Sequence, residues 1–306
     1  MVHWVQLEMH DGPKLPAFAA LAAGVIAISW SAIFVRWANM PGAVSAFYRV
    51  LIAAVILWMF LPFQRASIAC ISRRTLFLSS LGGIFFAGDV ALFNLAVLRT
   101  MAGNATFLAN NSPLFVGLIT WLLTRKLPSR RFWTALAIAF AGACLVVWVD
   151  LRRPESGFSA DLMAVLAAAC FAGYLLITER VREKMGTLIL AALSTTASAV
   201  ALLAFAVCAR ISLTVPTASS FAALLGLGLF CQLGGYFCLT YALGHLPATV
   251  SSIVLLGIAP LTAMNARMVF GEQMTLLQLL GGCFILIAVW IVSRHSNSAH
   301  QDARST

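Results

Sequence analysis

Charge is what this sequence has least of. Only 10% of its 306 residues are Asp, Glu, Lys or Arg, where a soluble globular domain carries roughly 25%. So few charges cannot coat a water-facing surface, and 61% of the residues are hydrophobic. The five histidines (His3, His10, His245, His295, His300) sit in tails or one loop, so no imidazole ligand for a metal or a haem is expected inside an apolar segment. The seven cysteines (Cys70, Cys144, Cys170, Cys208, Cys231, Cys238, Cys283) form no Cys-x-x-Cys pair and mostly fall in apolar runs, where a thiol behaves as a small hydrophobe. Neither a disulfide framework nor a zinc site is indicated; no metal and no cofactor is expected. A Gly-x-x-x-x-Gly-Lys-Ser/Thr phosphate loop is also missing, and no gap between apolar runs could house a soluble domain, which excludes ATP-driven pumping within the chain.

What is present is a series of apolar runs, near 15–35, 45–61, 75–98, 102–123, 132–149, 160–178, 187–207, 221–243, 248–266 and 275–293. About 20 residues cross a hydrocarbon core of roughly 30 Å, so these runs predict an all-α membrane protein of ten transmembrane helices. The mixed, partly acidic stretch from Met1 to Lys14 precedes a run too long for a signal-peptide core, which reads as an uncleaved first helix. The net charge of +10 is scattered through short loops rather than gathered into a patch, which argues against a nucleic-acid partner.

Alternate loops divide these cations unequally. Thirteen fall on one side (Lys14, Arg65, Arg73, Arg74, Arg125, Lys126, Arg130, Arg131, Arg180, Arg182, Lys184, Arg294, Arg304) and six on the other (Arg36, Arg99, Arg152, Arg153, Arg210, Arg267), with Arg49 inside a helix. Cytoplasmic loops hold the excess of Lys and Arg, so both termini are expected in the cytoplasm, in agreement with an even number of helices.

Sliding the chain on itself by 147 residues superimposes Gly88 on Gly235, Leu108 on Leu255, Pro113 on Pro260, Leu114 on Leu261, Ile138 on Ile285 and Ala141 on Ala288. Five helices separate equivalent positions. Because five is odd, the second half would enter the membrane upside down, giving two inverted five-helix repeats over residues 14–149 and 160–293. Inverted repeats are the plan of many secondary transporters, with the substrate site near mid-depth between the halves.

The stretch Pro41-Gly-Ala-Val-Ser-Ala-Phe-Tyr-Arg49-Val-Leu-Ile-Ala-Ala, the turns Ser112-Pro113-Leu-Phe-Val and Ala259-Pro260-Leu-Thr-Ala, and the ending Phe270-Gly271-Glu272 resemble the EamA-type drug/metabolite transporters over roughly residues 15–293. Two departures stand out: Phe171 occupies the place of a second-half counterpart of Trp30, and Thr124-Arg125 stands where the first half often has Gly-Glu. The resemblance implies a ten-helix exporter in a bacterial inner membrane, with a cavity lined largely by helices 1, 3, 4, 6, 8 and 9. It is most similar to members that handle amino acids, aromatic ones included.

Polar groups in hydrocarbon are costly unless they face protein, water or substrate, so their positions trace a pathway. Asp89 is the one carboxylate well inside a helix, flanked at i−4 and i+4 by Phe85 and Phe93; the repeat equivalents of these three are Gln232, Tyr236 and Thr240. The two stripes are read as cavity-facing, with interhelical hydrogen bonding as the alternative. Asp89 could accept a proton, pair with a substrate ammonium, or be the counter-ion of Arg49, about 7 Å away in depth at 1.5 Å per residue. Helix 4 adds Asn104, Asn110 and Asn111 ahead of Pro113, and Pro113 and Pro260 each free a backbone carbonyl, making a hinge or a static bend. Trp30, Ser31, Phe171 and Tyr174 complete the candidate cavity. Ala135, Ala139 and Ala143 on helix 5 and Gly281-Gly282 on helix 10 read as scaffold that would also serve a homodimer within the lipid.

These residues point to a secondary transporter that exports neutral amino acids and related small metabolites by alternating access, and not to an enzyme. A phosphorylated substrate would call for cations at mid-depth, yet all three lysines lie in tails or loops; a cationic-drug antiporter would carry a Glu in helix 1, and residues 15–35 contain none. Two alternatives stay open: a membrane-embedded enzyme acting on a lipid or prenyl substrate, which needs more acid–base or metal-ligating groups than one Asp, and a passive metabolite channel.

Overall fold

The computed structural model describes residues 14–61, 71–99, 102–125, 129–150 and 158–271, with parts of 276–291. Among these residues the chain is helical and holds no strand. In the first half, α1 (Lys14–Ser29) and α2 (Ser31–Ala38) form one rod interrupted at Trp30, α3 (Gly42–Phe60) and α4 (Arg73–Val97) follow, α5 (Ala102–Ala109) and α6 (Ser112–Thr124) are the two pieces of a broken rod, and α7 (Arg130–Asp150) comes last. The second half runs through α8 (Phe158–Arg182) and α9 (Thr187–Cys208). A composite rod follows, made of α10 (Ala218–Leu225), the π-helix π1 (Gly226–Tyr236) and α11 (Phe237–Ala242), and then the broken pair α12 (Ala248–Leu255) and α13 (Ile258–Phe270). Helical turns recur between 276 and 291.

Seven of the described rods are long and apolar enough to cross a membrane: 15–38, 42–60, 73–97, 159–182, 187–208, 218–242 and 248–270. The fourth expected segment is divided at Asn110-Asn111, leaving α6 with only 13 residues; the fifth is the helix α7, and the tenth runs into positions outside the described residues. Large apolar side chains face outward along the rods, among them Ile26, Trp58, Phe77, Leu122, Val200 and Met268. Such a surface would drive association in water; hydrocarbon solvates it.

The interruptions have identifiable causes. Pro113 has no N–H to return to the Ala109 carbonyl and Pro260 none for Leu256, and the two breaks, at 110–111 and 256–257, fall within a residue of the 147-residue offset. At Trp30 the amides of Ile33 and Phe34 both bond the Trp30 carbonyl (3.1 Å each), which leaves the Ser29 carbonyl outside the ladder. Thr262 of α13 satisfies it, donating at 2.9 Å, while Asn265 Nδ2 donates to Ser29 Oγ at 3.0 Å. The break in the first rod is thus stitched to the second half.

The halves interlock. The α1 rod packs on π1, α11 and α13, and α8 packs on α4, α5 and α6, so each half's first rod lies against the third and fourth rods of the other. Small residues permit the close crossings. A Cβ on Gly83 would collide with the Ser194 carbonyl, and Ser198 donates to the Gly83 carbonyl at 2.6 Å. Likewise a Cβ on Gly24 would sit 3.0 Å from the Gly235 carbonyl oxygen. One apolar core, which includes Leu21, Phe86, Val90, Leu175, Leu239 and Leu255, runs across both halves.

Candidate functional site

Arg49 of α3 is buried, 1% exposed, among lipid-depth rods. An isolated charge there would be very costly, and its hydrogen bonds show how it is tolerated. Nε donates to Gln232 Oε1 at 2.9 Å, Nη1 donates to Ser31 Oγ at 2.8 Å, and the guanidinium carbon lies 4.9 Å from the centroid of the Tyr236 ring. The ties join the second, first and eighth rods. Nη2 is buried with no partner among the described residues.

Asp89 of α4 is 6% exposed. Among the described residues no donor or cation contacts its carboxylate, so the Arg49–Asp89 ion pair weighed from sequence is not made, although the two charges lie within electrostatic reach. Ser31 and Gln232 take the Nη1 and Nε donors and hold the guanidinium over the Tyr236 ring, with Nη2 left over.

Asp89 instead faces a cavity of ≈ 40 Å³ lined by Ser31, Phe93, Thr106, Asn110, Phe171, Tyr236 and Thr262 among others. By the same measure one water needs about 10–15 Å³, so the space admits a few waters, and an amino acid must widen it. A smaller cavity of ≈ 10 Å³ is lined by Ala53, Leu57, Ser194, Thr195, Gln232 and Thr240, with Phe86, Tyr174 and Tyr236 on its wall. The Asp89 cavity lies toward the end of the bundle that carries the 39–41 and 209–217 connections. The Gln232 cavity lies toward the opposite end, at 183–186 and 243–247.

Four rings stand between them. Phe86 meets Tyr174 at 4.9 Å and Tyr236 at 4.7 Å between centroids, and Phe171 stacks on Tyr174 at 5.9 Å and meets Tyr236 edge-on at 6.2 Å. Thr240 donates to the Tyr236 carbonyl (2.8 Å), so Tyr174 donates its hydroxyl to Thr240 Oγ1 (3.3 Å). The rings come from rods 3, 6 and 8. Tyr236 and Gln232 are presented by the π-helical turn of π1, a local widening that recurs at functional sites. Its Gly226, Gly228 and Gly235 lie against Phe34, Ile52 and Ile28, where a side chain would not fit.

Of the residues singled out from sequence, the structure brings Ser31, Asp89, Phe93, Phe171 and Tyr236 to one cavity and Tyr174, Gln232, Tyr236 and Thr240 to the other. Phe85 is elsewhere: it is 36% exposed and its ring lies against Gly173, and its neighbour Phe86, about 100° further round the helix, takes the interior position. Asn111 is likewise displaced by Asn110; Asn111 donates to the Leu108 carbonyl at 3.3 Å and the cavity is lined by Asn110. Trp30 marks the helix break and its ring lies 6.3 Å from that of Phe34, lining neither cavity. The side chain of Asn104 lies outside the described residues. Sequence reading missed Phe86, Thr106 and Thr262. Thr106 and Thr262 carried no signal beyond being hydroxyls in apolar helices.

A family model described as the EamA-like transporter family matches the chain twice, over residues 15–148 and 158–294. The uncharacterized transporter YwfM of Bacillus subtilis is 29% identical over 205 residues, 66% of this chain and 68% of that protein. An uncharacterized transporter of Archaeoglobus fulgidus is 25% identical over 255 residues, 81% of this chain and 86% of that protein. A solved crystal structure superimposes with a TM-score of 0.72 over 92% of this chain and 98% of its own, at 13% identity; at that identity the likeness is one of fold.

Proposed function

From the premise that the chain belongs to the EamA-like transporter family, we propose that it exports neutral amino acids, aromatic ones among them, and related small metabolites across a bacterial inner membrane. It is a multi-pass membrane protein built of two copies of the family's unit. In this reading the copies are inverted, the spans number ten, both termini are cytoplasmic, and access to the central site alternates as the halves rock.

One observation carries the substrate class. Between the halves are a carboxylate with no partner among the described residues (Asp89) and a guanidinium with one nitrogen unpaired (Arg49 Nη2). A buried charge is stable only when matched. A zwitterion offers an ammonium to the first and a carboxylate to the second and leaves the interior neutral. A phosphorylated substrate would set its charge against Asp89 with Arg49 alone to offset it, and a dye cation would leave Arg49 unmatched. The four rings beside these charges suit an apolar or aromatic side chain.

The interior aromatic partition and the paired breaks ahead of Pro113 and Pro260 support alternating access over a permanent pore, with those breaks as hinges. The test is flux in proteoliposomes with labelled amino acids, phosphorylated metabolites and cationic dyes, with and without a pH gradient. Saturable flux of neutral amino acids is expected. Transport of only the phosphorylated compounds would overturn the substrate class. Turnover of a lipid without transport would favour the enzyme, and flux that never saturates would favour the channel.

A further inference from the structure

The small polar and charged side chains that line the Asp89 cavity divide into two sets. Ser31 accepts from Arg49 and Thr262 donates to the Ser29 carbonyl. These are committed to holding the rods together. Asp89, Thr106 and Asn110, which are 6%, 3% and 8% exposed, have no side-chain partner among the described residues, and Thr106 Oγ1 is fully buried without one.

Leaving three adjacent polar groups unpaired at this depth is unfavourable, by about 1–3 kcal/mol for each buried group, unless something fills the space between them. Thr106 and Asn110 stand four residues apart, on one face of the fourth rod, with the Asn110 amide still bonded to the Thr106 carbonyl at 3.0 Å. Asp89, on the third rod, lines the same cavity. Together the three side chains offer it a carboxylate, a hydroxyl oxygen and an amide oxygen as acceptors, from two rods.

Resting on the transport reading above, we infer that this triad is the seat of the substrate's primary ammonium group, with one N–H directed to each of Asp89, Thr106 and Asn110. The rings of Phe93, Phe171 and Tyr236 line the same cavity and supply the π-faces that a desolvated cation favours. The site therefore selects for a nitrogen that carries three N–H donors. Methylation or removal of that nitrogen leaves the triad as unsatisfied as it is when empty.

The test is competition against labelled L-phenylalanine uptake in proteoliposomes of the full chain. L-phenylalanine itself, phenethylamine, 3-phenylpropionate and the N,N,N-trimethyl derivative of phenylalanine are the competitors. L-phenylalanine is expected to compete best, and phenethylamine, which brings the ammonium without a carboxylate for Arg49, more weakly but better than the two compounds that lack a primary ammonium. The deaminated and trimethylated compounds are expected to be at least about tenfold weaker, the worth of a hydrogen bond to a charged group. Asp89→Asn and Thr106→Val should each erase that discrimination, while Thr106→Ser keeps it and shows that the hydroxyl is what matters. Equal competition by the trimethylated compound, or an unchanged ranking in both Asp89→Asn and Thr106→Val, would overturn the inference while leaving a transporter. A sodium requirement without discrimination among amines would overturn it in favour of a metal cation. Uptake of none of these compounds by a folded protein would overturn the transport reading itself, and the inference with it.

Discussion

Arg49 is the largest side chain withdrawn from solvent among the described residues, and its worth is structural as well as chemical. Replacing it by Met keeps much of the volume but leaves Gln232 and Ser31 without their donor. Hydrogen bonds to charged groups are worth about 1.5–3 kcal/mol in mutational series, and those between membrane helices about 0.6–2 kcal/mol. Arg49→Met is expected to lower the thermal unfolding midpoint in detergent, and to abolish uptake of carboxylate-bearing substrates. A variant that unfolds at the parental temperature would show that the three ties contribute nothing. At this scale the sequence was partly legible. Asp89 and Arg49 stood out because ionised groups are so rare in apolar runs. Thr106 and Thr262 did not, because a Thr in a membrane helix can satisfy itself on its own backbone, and only the fold shows that Thr262 bonds across to Ser29 while Thr106 Oγ1 finds no partner among the described residues. Phe86 was confused with Phe85 for a different reason. A single carboxylate marks a helix face only to within a neighbouring residue, and the true interior arc was rotated by one position.

In the alternating-access mechanism proposed above, the broken rods are the elements on which movement depends. Alanine at both Pro113 and Pro260 restores the two missing backbone donors and should straighten and stiffen the fourth and ninth rods. Slower turnover is expected, with half-saturation little changed; unchanged turnover would make the breaks static bends. Packing of α4 against α9 is equally testable. A Leu at Gly83 would drive a side chain into the Ser194 carbonyl, where overpacking costs about 1–3 kcal/mol or more. Gly83→Leu is expected to cut the yield of monodisperse protein and to lower its unfolding midpoint, and normal behaviour in size-exclusion chromatography would refute that crossing. Both proline breaks could be read in advance, since Pro removes a donor wherever it stands. The interruption at Trp30 and the π-turn of 226–236 could not. Trp30 is flanked by Ser rather than by a helix breaker, and the Gly-rich run around Gln232 reads equally well as a close-packed straight helix. Tertiary contacts select the outcome: Thr262 captures the Ser29 carbonyl, and the rods holding Ile28, Phe34 and Ile52 press on the glycines of π1.

For the whole molecule, the matching of the family unit to residues 15–148 and 158–294 and the reciprocal packing of first rods on third and fourth rods express one symmetry, which the 147-residue offset carried in the sequence. The offset says nothing of how the interior is divided. That division is the functional heart of the account: two small cavities toward opposite ends, parted by Phe86, Phe171, Tyr174 and Tyr236. The most direct measurement is sided labelling of single cysteines, placed at Ala109 in the Asp89 cavity and at Ala191 in the Gln232 cavity of a protein whose native cysteines are replaced, with a membrane-impermeant thiol reagent applied to either face. The account expects Ala109→Cys to react only from the outer face and Ala191→Cys only from the cytoplasmic face, with saturating substrate altering the two rates in opposite senses. Labelling of both positions from the same face, or of either from both faces at once, would contradict it.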